Sequence, residues 1–197
     1  MGSPTRERIR AAAISLFADK GFSAAATSEI CRRARVTKPV LYYYFKSKEK
    51  LYLALVEECR TETLERLRRA AASAKSIEEK LVNILAEDFA YARRNPKTAA
   101  MFMRLIFAPQ KEVPVTHVIR AGRDRLCAIE DIVREAVKRG ELKCRPRDFA
   151  EILLGATMIY TTSYLVQGKP ALNRNLARRI VRFLLDGSAN KICNRQV

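Results

Sequence analysis

The 197-residue chain contains one histidine, His117, and little else that catalysis could use. It has no His-Glu-x-x-His pair, no Gly-x-Ser-x-Gly nucleophile turn and no glycine-rich loop of the kind that cradles phosphate. No catalytic residue is assigned, and His117, at the start of a helical pattern, reads as a surface or pocket-lining side chain. Cys31, Cys59, Cys127, Cys144 and Cys193 stand apart with no Cys-x-x-Cys pair. Ligand spacing is therefore missing and neither a metal nor a cofactor is expected; an odd number of isolated thiols fits a reducing compartment. Also absent are a run of about 18 apolar residues, which a membrane-spanning helix needs, and the apolar core of a secretory leader after Met1. The expected location is the cytoplasm, away from membranes.

Acidic residues are scarce as well. Twenty-one Asp and Glu against 38 Lys and Arg leave a net charge of +17 and an isoelectric point near 10.1. A balance of this kind implies a polyanionic partner. The excess sits at the two ends: residues 1–50 hold eleven basic against four acidic residues, and residues 140–197 hold ten against four. Phosphate binding accounts for the first group. The second reads as a solvated basic face.

What the sequence does have is helical periodicity throughout, densest from Thr27 to Leu55, where two short patterns meet across a brief break and a third follows. This is the layout of a helix-turn-helix. Thr27 is placed to cap the first helix, with Glu29 favoured in its first turn by the helix dipole. Ile30 and Ala34 share its apolar face, while Arg32, Arg33 and Arg35 point elsewhere. The turn falls at Arg35-Val36. Thr37 is expected to cap the second helix, and Pro39 lies in its first turn, where a missing N–H costs nothing. Val40, Leu41 and Phe45 supply the buried side, leaving Thr37, Lys38, Tyr42, Tyr43 and Tyr44 outward or at the rim. Consecutive helical residues are about 100° apart, so three adjacent tyrosines cannot all be buried on one face.

The stretch K-P-V-L-Y-Y-Y-F-K-S-K-E-K-L resembles the recognition-helix signature of TetR-type regulators, with matching spacing from about Ile9 to Leu55. The resemblance implies an all-α homodimer with an N-terminal three-helix DNA-binding domain and a larger C-terminal helical domain for ligand binding and dimerisation. It assigns phosphate contacts to Thr27, Tyr43 and Lys48, and base-edge contacts to Thr37, Lys38 and Tyr42. Tyr44 stands where such proteins often carry His, and Arg35 where they often carry Gly. By chemistry, Lys38 suits guanine O6 and N7, and the tyrosines suit phosphate oxygens and thymine methyls. Arg6 or Arg8 is a further candidate for a groove or phosphate contact.

Around this stretch, nine helices and no strand are expected. A first helix carries Ile9, Ala13, Leu16 and Phe17 on one stripe and closes at Lys20-Gly21. Ser47 caps a long fourth helix that leaves the DNA-binding domain. Ser76-x-x-Glu79 is a capping box for the fifth. The sixth, Pro96 to Phe107, is apolar almost all round and so expected to be buried. Pro109 and Pro114 bound a loop, and helices follow from Val115 to Arg139, from Asp148 to Gln167, and after Asn173 with Leu176, Ile180, Phe183 and Leu184 inward. Domains are drawn at residues 1–50 and 51–187, with 188–197 as a tail.

Two further sites follow. The eighth and ninth helices are the expected dimer seam, because Gly155, Ala156, Thr157 and Ser163 permit close approach. Phe89, Met101, Phe102, Leu105, Phe107, Ile159 and Tyr160 are the candidate ligand-binding residues, for a hydrophobic or amphipathic inducer whose entry shifts the sixth helix and swings the fourth. The expected function is a ligand-responsive regulator, a repressor by preference, bound to a palindromic operator on double-stranded DNA. A non-specific architectural DNA-binding protein is the alternative.

Overall fold

Helix ends in this chain are set by local chemistry that the computed structural model makes explicit. It describes residues 3–107 and 115–188, with backbone alone at 105–107, 115–119 and 188. Among the described residues are nine α-helices and no strand: α1 (Pro4–Ala24), α2 (Thr27–Ala34), α3 (Lys38–Phe45), α4 (Lys48–Ala72), α5 (Ile77–Arg94), α6 (Pro96–Phe107), α7 (Val115–Lys138), α8 (Pro146–Gln167) and α9 (Arg174–Ser188). The Lys50 N–H donates to Ser47 Oγ at 3.0 Å, the Glu79 N–H to Ser76 Oγ at 3.2 Å and the Leu176 N–H to Asn173 Oδ1 at 2.9 Å. These three caps stand where the sequence put them. Gly21 interrupts α1 with φ 79°, a left-handed value that glycine adopts freely. The expected loop at Pro109–Pro114, the side chain of His117 and the tail from residue 189 lie outside the described residues.

The chain divides into two compact units, Met1–Thr61 with Asn95–Ala121, and Glu62–Arg94 with Gly122–Val197. This differs from a cut at residue 50: α6 groups with the N-terminal helices, and α4 contributes its first part to one unit and its last part to the other.

In the first unit, α1 packs against α2 and α6. Ile9, Leu16, Phe17, Ile30, Leu41 and Leu51 are fully enclosed, with Met101 of α6 beside them. Side chains of this size stabilise by roughly 1.5–3 kcal/mol each on burial. Phe17, Phe22 and Tyr52 form an aromatic cluster with centroids 4.9–6.0 Å apart, and burial pushes the Tyr52 phenol well above its usual pKa. Helix α6 is not buried all round, however. Lys97 and Arg104 are exposed, and Lys97 Nζ pairs with Asp19 at 2.6 Å. Its apolar richness reflects a covered face with a polar edge.

In the second unit, α5 packs against α9 and α8 around Leu81, Leu85, Phe89, Leu153 and Val181. Helix α8 departs from the expected pattern. Although it holds no unbroken apolar run, this 22-residue helix is long and apolar enough by length and composition to cross a membrane, and little of it is buried. Phe149, Ala150, Leu153, Thr157 and Thr161 face inward, while Ile152, Ile159 and Val166 are 56%, 59% and 75% exposed. Seven residues are two helical turns to within about 20°, so these three lie along one face. Phe183 of α9, expected inward, is instead 80% exposed; Ala177 and Val181 fill the inner stripe beside Leu176 and Ile180.

Candidate nucleic-acid interface

The turn between α2 and α3 fixes how α3 is presented. Arg35 adopts φ 53°, ψ 52°, and α2 closes with the Val36 N–H donating to Cys31 O at 3.0 Å and the Arg35 N–H to Arg32 O at 3.3 Å. This double bond pattern satisfies the carbonyls at a helix end and normally places glycine at the left-handed residue. Arg35 carries a Cβ there, at a cost of about 1 kcal/mol. Arg35→Gly is therefore expected to raise stability by about 1 kcal/mol, read as a higher urea midpoint with unchanged slope; a lower midpoint would contradict a strained turn.

Helix α3 then buries Leu41 and Phe45 and leaves Thr37, Lys38, Tyr42 and Tyr43 exposed, Tyr43 by 75%. Thr37 occupies the cap position, but its hydroxyl makes no capping bond, and α2 is entered through Ala26, with Thr27 as its first residue. The expected capping by Thr27 and Thr37 side chains does not occur, which leaves both hydroxyls for other partners. Tyr44 is half-buried; its phenol sits 2.9 Å from Ser3 Oγ and its ring stands edge-on to Tyr43 at 5.2 Å.

Other cations at this end are occupied within the fold. Lys48 Nζ donates to the carbonyls of Phe22, Ser23 and Ala25 at 2.9, 3.3 and 3.1 Å and lies 4.5 Å over the Phe22 ring. Its three ammonium donors hold the α1–α2 connection rather than pointing away from the protein. Arg6 bonds Glu58 at 2.6 Å and stacks 5.4 Å from the Phe45 ring centroid. Glu58 also takes Arg10. Arg33 pairs with Glu29 and Asp19, whereas Arg8, Arg32 and Arg35 are exposed. Sequence reading missed Ser3 and Glu58; partners this far from Tyr44 and Arg6 leave no local signal.

Residues 9–55 match the family described as bacterial regulatory proteins, tetR family. These residues form a TetR-family helix-turn-helix domain. Among curated relatives, the A-factor receptor protein of Streptomyces griseus is 52% identical over 54 residues, which cover 27% of this chain and 19% of that protein. The chain spans about half or less of the curated relatives first matched. Over nearly its whole length the fold is that of the fatty acid degradation regulator FadR from Bacillus halodurans, with TM-score 0.84 and 21% identity, covering 95% and 97% of the two chains. The transcriptional regulator FadR from Bacillus subtilis, solved in complex with stearoyl-CoA, gives TM-score 0.81 and 21% identity over 92% and 98%.

The candidate ligand residues are placed less uniformly. Met101 is a core side chain of the first unit and Phe102 packs against that core. Phe89 is enclosed in the second unit, Tyr160 is half-buried there, and Ile159 lies on the exposed face of α8. Ile159 is thus reassigned from pocket lining to outer surface, because α8 turns Leu153 and Thr157 inward. The side chains of Leu105 and Phe107 lie outside the described residues.

Proposed function

We propose that the chain is a ligand-responsive transcriptional regulator, a repressor by preference, that binds a palindromic operator as a homodimer and is released by a hydrophobic or amphipathic inducer. One observation carries the DNA-binding reading: Thr37, Lys38, Tyr42 and Tyr43 share the open side of a helix whose other side, Leu41 and Phe45, is locked in the core. Such a rod suits the major groove, with Lys38 and Thr37 at its leading end for base edges and Tyr43 and Thr27 for phosphate. Lys48 acts by holding the α1–α2 connection, and Tyr44 by fixing the N-terminus through Ser3.

The dimer reading rests on the exposed α8 stripe. Ile152, Ile159 and Val166, with Gly155 between them and open space where its Cβ would be, form a seam for the same seam of a second copy. Dimerisation places recognition helices about 34–36 Å apart, one turn of duplex. Because one relative in fold is a fatty acid degradation regulator and another was solved with stearoyl-CoA, a long-chain acyl-CoA is the first inducer to test. A DNA-bound regulator of this kind works in the bacterial cytoplasm.

Selection from random duplexes tests the operator. An inverted repeat preferred by ~10³ or more over random DNA at physiological salt is expected; affinity that varies with salt and not with sequence would favour the architectural alternative. On the selected operator, Lys38→Ala is expected to relax preference at one base pair, costing about 1–3 kcal/mol there. Tyr43→Ala is expected to weaken all sequences alike. Uniform loss for both would remove the base-reading role of Lys38.

A further inference from the structure

The second unit holds a cavity that an acyl chain has no reason to enter. It lies among the last turns of α4, the middle of α5 and the start of α9, with a volume of about 420 Å³. Arg66, Arg69, Ser73, Asn83, Glu87 and Arg174 line it, and the remaining lining residues are alanines. No large apolar side chain faces it. Arg66, Arg69 and Ser73 fall on one face of α4, and Asn83 and Glu87 on one face of α5, so two helices offer polar edges to the same space.

The charges do not cancel. Three guanidinium groups meet one carboxylate, and that carboxylate, Glu87, is turned to Arg94 at 3.4 Å. Arg174 is held by a neutral partner, its Nη2 donating to Asn83 Oδ1 at 2.6 Å, and Asn83 Nδ2 in turn donates to Ser73 Oγ at 3.1 Å. Arg66 lies 3.7 Å over the Tyr91 ring, donates from Nη2 to Thr63 Oγ1 at 3.0 Å and is ion-paired with Glu62 at 3.7 Å. Arg69 is exposed, with no ion pair among the described residues. Arg66 is thus compensated by Glu62, whereas Arg69 and Arg174, the latter oriented by a neutral amide, keep their charge. Behind them Asp88 is ion-paired with Arg125, and burial still raises its carboxyl pKa against the pull of Arg125 and Arg66. It is committed inward and does not neutralise the cavity mouth.

From this we infer that the cavity binds a small phosphate-bearing molecule, at a site distinct from whatever holds the acyl chain of the inducer proposed above. A phosphate monoester carries about −1.5 to −2 charge near neutral pH, which matches the uncompensated charges of Arg69 and Arg174. Planar guanidinium forks fit phosphate oxygens in pairs. The volume is that of a ligand larger than a lone ion.

Inorganic pyrophosphate is the probe, titrated into the full chain by calorimetry at constant ionic strength. Saturable binding is expected, weakened about tenfold or more by Arg69→Ala and by Arg174→Ala, the scale of one lost charge-assisted hydrogen bond. Arg69 is exposed, so its replacement leaves packing and operator affinity unchanged. Lys38→Ala, on the DNA-binding face, reports background binding and is expected to leave the titration as in the parent chain. Absence of saturation, equal weakening by Lys38→Ala and the arginine variants, or citrate binding as tightly as pyrophosphate would each overturn the proposal. None of these outcomes bears on operator recognition, which is read separately.

Discussion

Replacing Ile159 by Glu is expected to leave each subunit folded and to separate the pair, taking operator affinity with it. Ile159 is 59% exposed at the middle of the seven-residue series Ile152, Ile159, Val166, so the substitution disturbs little within one chain. In a symmetric seam the same residue meets its own copy region, and two buried, unpaired carboxylates oppose each other there. Breaking or burying an uncompensated charge costs about 3–5 kcal/mol. Sedimentation velocity should show a monomer at concentrations where the parent is a dimer. Affinity for an inverted repeat should fall by about 100-fold or more, toward the non-specific level. A dimer that survives Ile159→Glu with its operator affinity intact would move the seam elsewhere.

Lys48→Ala is expected to lower stability by about 2–3 kcal/mol, the scale of hydrogen bonds to a charged group. The loss arises from the α1–α2 connection: Phe22, Ser23 and Ala25 each lose the donor that gathers their carbonyls, and the Phe22 ring loses its cation. Thermal and urea unfolding measure the stability. At a temperature where the variant remains folded, its operator affinity at low and high salt separates the two roles. A role in holding the loop leaves the salt slope unchanged, whereas a phosphate contact lowers it by about one. Unaltered stability with a reduced slope would return Lys48 to the DNA surface.

The sites differ in how far they could be read before folding. Leu41, Phe45 and the exposed Lys38 and Tyr43 followed from periodicity, since eight residues of helix with Pro39 near its start allow one inner face only. The turn at Arg35-Val36 followed from the spacing of the two helical patterns; the left-handed backbone of Arg35 came from the structure. The ligand residues did not resolve: Phe89, Met101 and Ile159 are equally apolar in sequence, yet two became core and one surface. Hydropathy marks a residue that can be buried; what covers it depends on which helix arrives.

The sequence by itself determined the nine helices of the described residues, their caps at Ser47, Ser76 and Asn173, the helix-turn-helix and the basic character, because each is set within a few residues by 3.6-residue periodicity, capping or net charge. Only the tertiary structure decided that Lys48 is spent on carbonyls 23 to 26 residues away, that Arg6 is held by Glu58 at a separation of 52 and Tyr44 by Ser3 at 41, and that Ile159 and Phe183 face outward. A donor or an apolar face acquires its role from the group brought against it, and that pairing exists only once distant helices have packed.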